Sequence, residues 1–137
     1  MKKLNVILVY NSAEDKLLMC KREKEPYKGK FNLVGGKVEA DEDELYAAYR
    51  ELQEETGITP KDINLKHVMD FKYYNSDTEL EIYAGKLERD VKLVKEINEL
   101  YWVDKAEAFY NLDKFAGEGN IWHMLHHVET HKDEILN

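Results

Sequence analysis

From Gly35 to Ile58 the chain reads GGKVEADEDELYAAYRELQEETGI. Eight acids stand there against two cations, Lys37 and Arg50. Leu45, Ala48, Tyr49 and Leu52 recur at i, i+3, i+4 and i+7, which predicts an amphipathic helix over 42–56 with that stripe in the core. Asp41 and Glu44 have capping-box spacing, with Asp in the Ser/Thr role, and Gly57 supplies a C-terminal stop. Glu51, Glu54 and Glu55 stand three and four apart, so their carboxylates share one patch. Arg50 points about 100° away from Glu51 on a helical wheel, an angle at which it cannot neutralise the whole cluster. The fold must bury one face of this helix and do something with the charge on the other.

Two readings of that charge compete. A run of acids is by default a solvated helix face. The sharper reading is a hard-cation site, because Mg²⁺ and Mn²⁺ prefer carboxylate, carbonyl and water oxygens and share their shell with substrate phosphates. The preceding Gly35-Gly36 pair fits the second reading, since glycine lets a backbone carbonyl approach a ligand closely. Gly36, Glu42, Arg50, Glu51, Leu52, Glu54, Glu55, Gly57 and Ile58 match G-x5-E-x7-R-E-U-x-E-E-x-G-U at every fixed position, U being a bulky aliphatic. This 23-residue stretch resembles the Nudix box.

The rest of the chain supports an α/β fold. Leu4–Tyr10 and Lys16–Arg22 are strand-like runs joined by a turn, which predicts a hairpin. Residues 23–30 form a polar loop, and FNLV and KVE read as short strands around the glycine pair. Residues 63–74 are strand-rich. TELEIYAG alternates, with Leu80, Ile82 and Ala84 on one face and Glu79, Glu81 and Tyr83 on the other. NSD at 75–77 makes a second hairpin, and LYWV at 100–103 another strand. A short helix is expected around 105–110 and a terminal helix from about Asn120 to His131. The Nudix resemblance implies an α/β/α sandwich with a mixed β-sheet and the box as loop-helix-loop, in one domain over 1–137.

The resemblance also implies chemistry: hydrolysis of a nucleoside diphosphate linked to another group, with Mg²⁺ (or Mn²⁺) as cofactor. Glu54, Glu55 and the Gly35 carbonyl are then metal ligands. Glu51 is a further ligand or the general base. Arg50 holds the helix carboxylates through hydrogen bonds, and Glu42 is a structural contact. KEINELYW, residues 95–102, resembles the acidic segment before a late strand in MutT-type members, which nominates Glu96 as metal ligand or base. Arg22 and Lys37 are candidate phosphate contacts. KFNLVGGKV and FAGEGNIW resemble the purine-reading segments of oxidised-purine triphosphatases, which nominates Asn32, Glu118 and Asn120. An Asn offers donor and acceptor together to a purine edge, although Asn120 reads equally well as a helix N-cap. Phe31, Tyr73 or Trp122 could stack on a base.

The expected substrate is a (deoxy)nucleoside triphosphate such as 8-oxo-dGTP. ADP-ribose, other NDP-sugars, dinucleoside polyphosphates and a non-catalytic nucleotide-sensing module are the alternatives. Val34 stands where a proline often precedes the glycines, and Glu39-Ala40-Asp41-Glu42 replaces the frequent E-x-G-E, so the subfamily stays open.

Composition sets outer limits. A net charge of -8 argues against nucleic acid as a partner, and an anionic ligand would need a bound cation between it and the protein; the small-nucleotide partner is what the resemblance implies. The single cysteine, Cys20, suits a reducing cytoplasm and reads as a small core residue. No apolar run approaches membrane-spanning length. A monomer or homodimer is expected. His123, His127 and His131 repeat every four residues, a spacing that two zinc ligands use, but the surrounding pattern reads as a solvated helix face.

Overall fold

The computed structural model describes all residues, 1–137. β1 (Lys2–Tyr10) and β2 (Lys16–Lys21) form the first hairpin, and β3 (Phe31–Leu33) leads to the glycine pair. α1 spans Glu44–Thr56. β4 (Lys66–Tyr73), β5 (Thr78–Lys86) and β6 (Glu99–Asp104) follow, then α2 (Asn120–Thr130) and a final turn of helix, α3 (Lys132–Ile135). The sheet runs β3-β2-β1-β5-β4, with β6 paired to β2. It is mixed: β1 and β5 are parallel from Lys2↔Thr78 to Tyr10↔Lys86, and the other pairs are antiparallel.

Both faces of the sheet are covered. Leu8, Tyr10, Leu17, Met19, Ile82 and Ala84 pack with Ile121, Met124, Leu125 and Val128 of α2, under Phe109 and Phe115. On the opposite face Ile7, Val9, Leu18, Cys20 and Tyr83 pack with Ala48 and Leu52 of α1. This is an α/β/α sandwich. A central strand buried on both faces reads as a continuous apolar run, which is why NVILVY does not alternate. The alternation in β5 does hold, but its polar side faces α1 and buries Glu81 to 1% exposure.

The box helix differs from its sequence reading in three ways. It begins at Glu44 rather than Glu42, and Asp43 is the cap, accepting from the Tyr46 N–H. Asp41 lies outside with φ +63° and cannot close a capping box. The buried face is Ala47, Ala48, Leu52 and Thr56, while Leu45 is 42% exposed and Tyr49 half-buried. Leu45 stands in the first turn, where Glu44 rather than Leu45 is set against β5. Gly57 does end the helix, with φ +81° and its N–H on the Gln53 carbonyl. Thr56 reinforces the end, donating to the Leu52 carbonyl at 2.7 Å and accepting from the Ile58 N–H at 3.1 Å.

Elsewhere, KVE forms no strand and makes one bridge, Leu4↔Lys37. Residues 105–110 fold as turns, because Asp104 and Asp15 draw the local N–H groups into turn bonds. No helix is long and apolar enough to cross a membrane.

Candidate active site

The glycine pair is tied between β1 and α1. Gly35 has φ +147°, and a Cβ there would stand 2.2 Å from the Asn5 carbonyl oxygen. The Gly35 N–H donates to Glu55 Oε2 at 2.9 Å, and the Gly36 N–H donates to Asn5 Oδ1 at 2.9 Å. A Cβ on Gly36 would lie 2.3 Å from the Glu51 carboxylate. Gly35 is therefore required by its close approach to backbone, whereas a Cβ on Gly36 would meet only the movable end of Glu51; both glycines bring backbone against box carboxylates.

Arg50 reaches two of the three clustered carboxylates and leaves Glu55 out, so it does not neutralise the whole cluster. Its Nε and Nη2 grip Glu42 at 2.6 and 2.9 Å, Nη1 reaches Glu51 at 3.1 Å and Glu54 at 3.2 Å, and Nη2 also donates to the Lys37 carbonyl. A long side chain ending in a five-donor fork can cover carboxylates that the Cβ direction does not face. The pairing raises Arg50 further above its ordinary range, Glu42 being the main cause, and holds Glu42 below the usual carboxylate range.

Glu55 receives none of this relief. Burial pushes its carboxyl up to about 7, against the lowering effect of the Gly35 N–H. Burial also raises Glu51, partly offset by Arg50. The Cys20 thiol lies against Glu55 and is itself pushed up to about 12, chiefly by burial. Glu96 is exposed in the segment before β6, near enough for its charge to raise both Glu51 and Glu55. These carboxylates offer oxygens of the type Mg²⁺ and Mn²⁺ take. Glu55, buried and with no cationic side chain bonded to it, is the one whose charge a hard divalent ion would most relieve.

A cavity of about 710 Å³ opens beside this cluster. Gly35, Gly36 and Glu55 line it, as do Arg22, Asn32, Glu118 and Asn120. The chain brings these distant residues together through β3. The Phe31 N–H donates to the Lys114 carbonyl and the Ala116 N–H to the Phe31 carbonyl, which sews the 115–120 segment to β3 beside Asn32. Gly119 with φ +88° precedes α2 without a side-chain cap. Asn120 is thus the first helical residue rather than the N-cap, and its Nδ2 donates to the Tyr73 hydroxyl at 2.9 Å. The Arg22 Nε donates to the Pro26 carbonyl at 2.8 Å, and Asn32 Oδ1 accepts from the Leu33 N–H.

Lys37 does not join them. It lines a separate hollow with Met1, Lys2, Lys3 and residues 38–42. Among the aromatic candidates Tyr73 lines the cavity, whereas Phe31 packs on Tyr101 and Phe115, and Trp122 stacks on His126. Two cavity residues carried no motif. Tyr27 lies at the mouth, 3.5 Å from Glu118 Oε1. Asn5 supports Gly36 from below, and its one signal was a polar residue inside an apolar strand. The His123, His127 and His131 ladder forms no metal-binding group with other ligand residues.

The NUDIX domain family model matches residues 1–125. The chain belongs to the Nudix family. It is 48% identical over 48 residues to an ADP-ribose pyrophosphatase of Methanocaldococcus jannaschii, a match covering 35% of this chain and 28% of that protein. The Ap4A hydrolase of C. elegans superposes with a TM-score of 0.77 at 18% identity, over 98% of this chain and 99% of that one. A MutT Nudix hydrolase of Burkholderia pseudomallei gives a TM-score of 0.69 at 19% identity, over 93% and 99%. At these identities the two structures share this Nudix chain's fold. Their different names mean that the fold leaves the substrate open.

Proposed function

We propose that this Nudix chain is a divalent-metal-dependent pyrophosphohydrolase acting on a nucleoside diphosphate linked to another group. The preferred substrate is a purine (deoxy)nucleoside triphosphate such as 8-oxo-dGTP, cleaved to the monophosphate and pyrophosphate. One observation carries this reading. Gly35, Gly36 and Glu55 line a cavity that also bears Arg22, Asn32, Glu118 and Asn120, and the Glu51 carboxylate lies against Gly36. That cavity offers oxygens for a cation, a guanidinium for phosphate and amides for a base edge.

Glu51, Glu54, Glu55 and the Gly35 carbonyl would hold Mg²⁺ or Mn²⁺, with Glu96 as a further ligand or the base. The bound ion neutralises phosphate oxygens and makes water a better nucleophile. The protein's own residues do the rest. Arg50 clamps Glu51 and Glu54 in place. Arg22 meets a phosphate oxygen. Asn32, Glu118 and Asn120 hold the base so that the phosphate chain lies over the carboxylates. Glu51 or Glu96 takes the proton as a water oxygen bonds to phosphorus and the anhydride P–O bond breaks. Pyrophosphate then leaves with the electron pair of that bond, and no covalent enzyme intermediate is needed.

ADP-ribose is the second reading, favoured by the M. jannaschii relative. Initial rates with Mg²⁺ on 8-oxo-dGTP, dGTP, ADP-ribose and Ap4A, with products separated by chromatography, decide between them. The expected result is kcat/KM highest for 8-oxo-dGTP, at least about tenfold over dGTP, a ratio worth 1.4 kcal/mol. A highest value for ADP-ribose moves the chain to the second reading. Binding without turnover of any of the four would sink the enzyme and leave a sensing module. The ligands and cytoplasmic setting belong to the same proposal, with a small nucleotide as the partner.

A further inference from the structure

The three acids with oxygens all within 4.8 Å of one another are not Glu51, Glu54 and Glu55. They are Glu44 on the first turn of α1, and Glu79 and Glu81 on β5. Glu79 and Glu81 are two apart on a strand, so both face α1. Glu44 precedes Glu51 by seven residues, about 10 Å along the helix.

Glu81 is the unusual member. It is 1% exposed, and its Oε1 has no hydrogen-bond partner. Two ammonium groups reach the cluster from outside: Lys3 Nζ lies 2.6 Å from Glu44, and Lys72 Nζ lies 3.9 Å from Glu79. Neither forms an ion pair with Glu81. On β1, Asn5 stands in register with Glu81, but its Oδ1 is committed to the Gly36 N–H and its Nδ2 is also unpartnered. A buried acceptor without a donor is costly, and natural folds hold few of them.

Three carboxylates, one of them carrying a buried oxygen without a partner, suit a hard divalent cation. Ca²⁺ holds its ligands at about 2.3–2.6 Å in irregular shells, so opposite oxygens stand about 4.6–5.2 Å apart. Mg²⁺ at about 2.0–2.1 Å draws them closer and demands a regular octahedron. One oxygen from each of the three acids lies within 4.8 Å of the others, close enough for a single ion to bridge them. We propose that Glu44, Glu79 and Glu81 form a hard divalent-cation site, apart from the Glu51, Glu54 and Glu55 cluster, that fastens the first turn of α1 to β5. Lys3 yields its place on Glu44 when the ion binds, and its side chain is already 41% exposed.

The test is thermal unfolding of the full chain carrying Glu54→Gln, which disables the box as a competing site. In chelator and then in millimolar CaCl₂, the melting temperature rises by about 10 °C when Ca²⁺ is a hundredfold above its Kd. Adding Glu81→Gln, or separately Glu79→Gln, abolishes that rise. Glu81→Gln removes a buried charge while keeping the shape, so it remains folded in chelator and reads the site directly. Adding Lys3→Gln instead tightens Ca²⁺ several-fold by removing the competing ammonium. Two results would overturn the site. One is a calcium-induced rise that survives both Glu81→Gln and Glu79→Gln, which places the ion elsewhere. The other is no rise before those changes at neutral or mildly alkaline pH, which leaves the acids sharing a proton.

Discussion

Replacing Glu55 by Gln should stabilise the metal-free protein while destroying its function. Glu55 is an acid whose carboxyl moves from an ordinary 4.5 to about 7 because the fold buries it. The sign follows from which state holds the proton. Well below 4.5 both native and unfolded chains are protonated at this position, and there is no penalty. Between 4.5 and 7 the unfolded chain ionises while the native one keeps its proton, so stability falls as pH rises. Above that window the penalty is complete, roughly 3 kcal/mol at 1.36 kcal/mol per pH unit. Gln retains an oxygen for the Gly35 N–H and carries no charge. Glu55→Gln should therefore exceed wild type by roughly 3 kcal/mol, or about 10 °C in Tm, near pH 8 in chelator. The gap should shrink toward zero near pH 4. Mg²⁺ should narrow it at high pH by giving wild-type Glu55 its counter-charge. The assay is urea or thermal unfolding of both proteins across that range. A variant no more stable than wild type at alkaline pH in chelator would refute the buried-charge argument, and with it the reason given for expecting a cation there.

Four further outcomes follow from the same geometry. Glu54→Gln should lose at least about a hundredfold in turnover while unfolding like wild type, as expected for a metal ligand, and near-normal turnover would exclude it from the ligand set. Arg50→Lys cannot span Glu42, Glu51, Glu54 and the Lys37 carbonyl with one ammonium, so kcat should fall about ten- to a hundredfold despite the retained charge. Gly35→Ala meets backbone at Asn5 and a φ of +147°, and should cost about 3 kcal/mol or more by chemical denaturation. Asn120→Ala and Glu118→Ala should raise KM and flatten the preference between 8-oxo-dGTP and dGTP with kcat within a few-fold; a collapse of kcat at constant KM would place them in the chemistry rather than in base recognition.

Much of the fold could be read along the chain. The box pattern carried the family on its own fixed positions, and Gly57, the two hairpins and the alternation in β5 all form as the local pattern predicts. These features depend on neighbours a few residues apart. The errors concern ends and directions. Asp41 was matched to a capping box because spacing alone cannot show that its own φ is positive. A wheel gives Leu45 a direction but not what the first turn meets, and it is Glu44 that lies against Glu79 and Glu81 of β5. The Arg50 Cβ direction does not locate its charge, because four rotatable or planar bonds separate Cβ from the guanidinium carbon.

By itself the sequence determined that an acidic box helix would follow a glycine pair, and that Glu51, Glu54 and Glu55 would share one helix surface. Those are consequences of short-range geometry: a 3.6-residue period and a residue type that tolerates close approach. Only the tertiary structure decided how the charge is managed. It gave Glu42, Glu51 and Glu54 to one guanidinium, left Glu55 buried on a single N–H, and sewed residues 115–120 to β3 so that Glu118 and Asn120 face the same cavity as Asn32. It also set Glu44 from a helix beside Glu79 and Glu81 from a strand. Arg50 and its carboxylates stand at most eight residues apart, but no local pattern encodes the other meetings, because their partners lie far apart in the chain and their energies depend on burial, which exists only once the sandwich has closed.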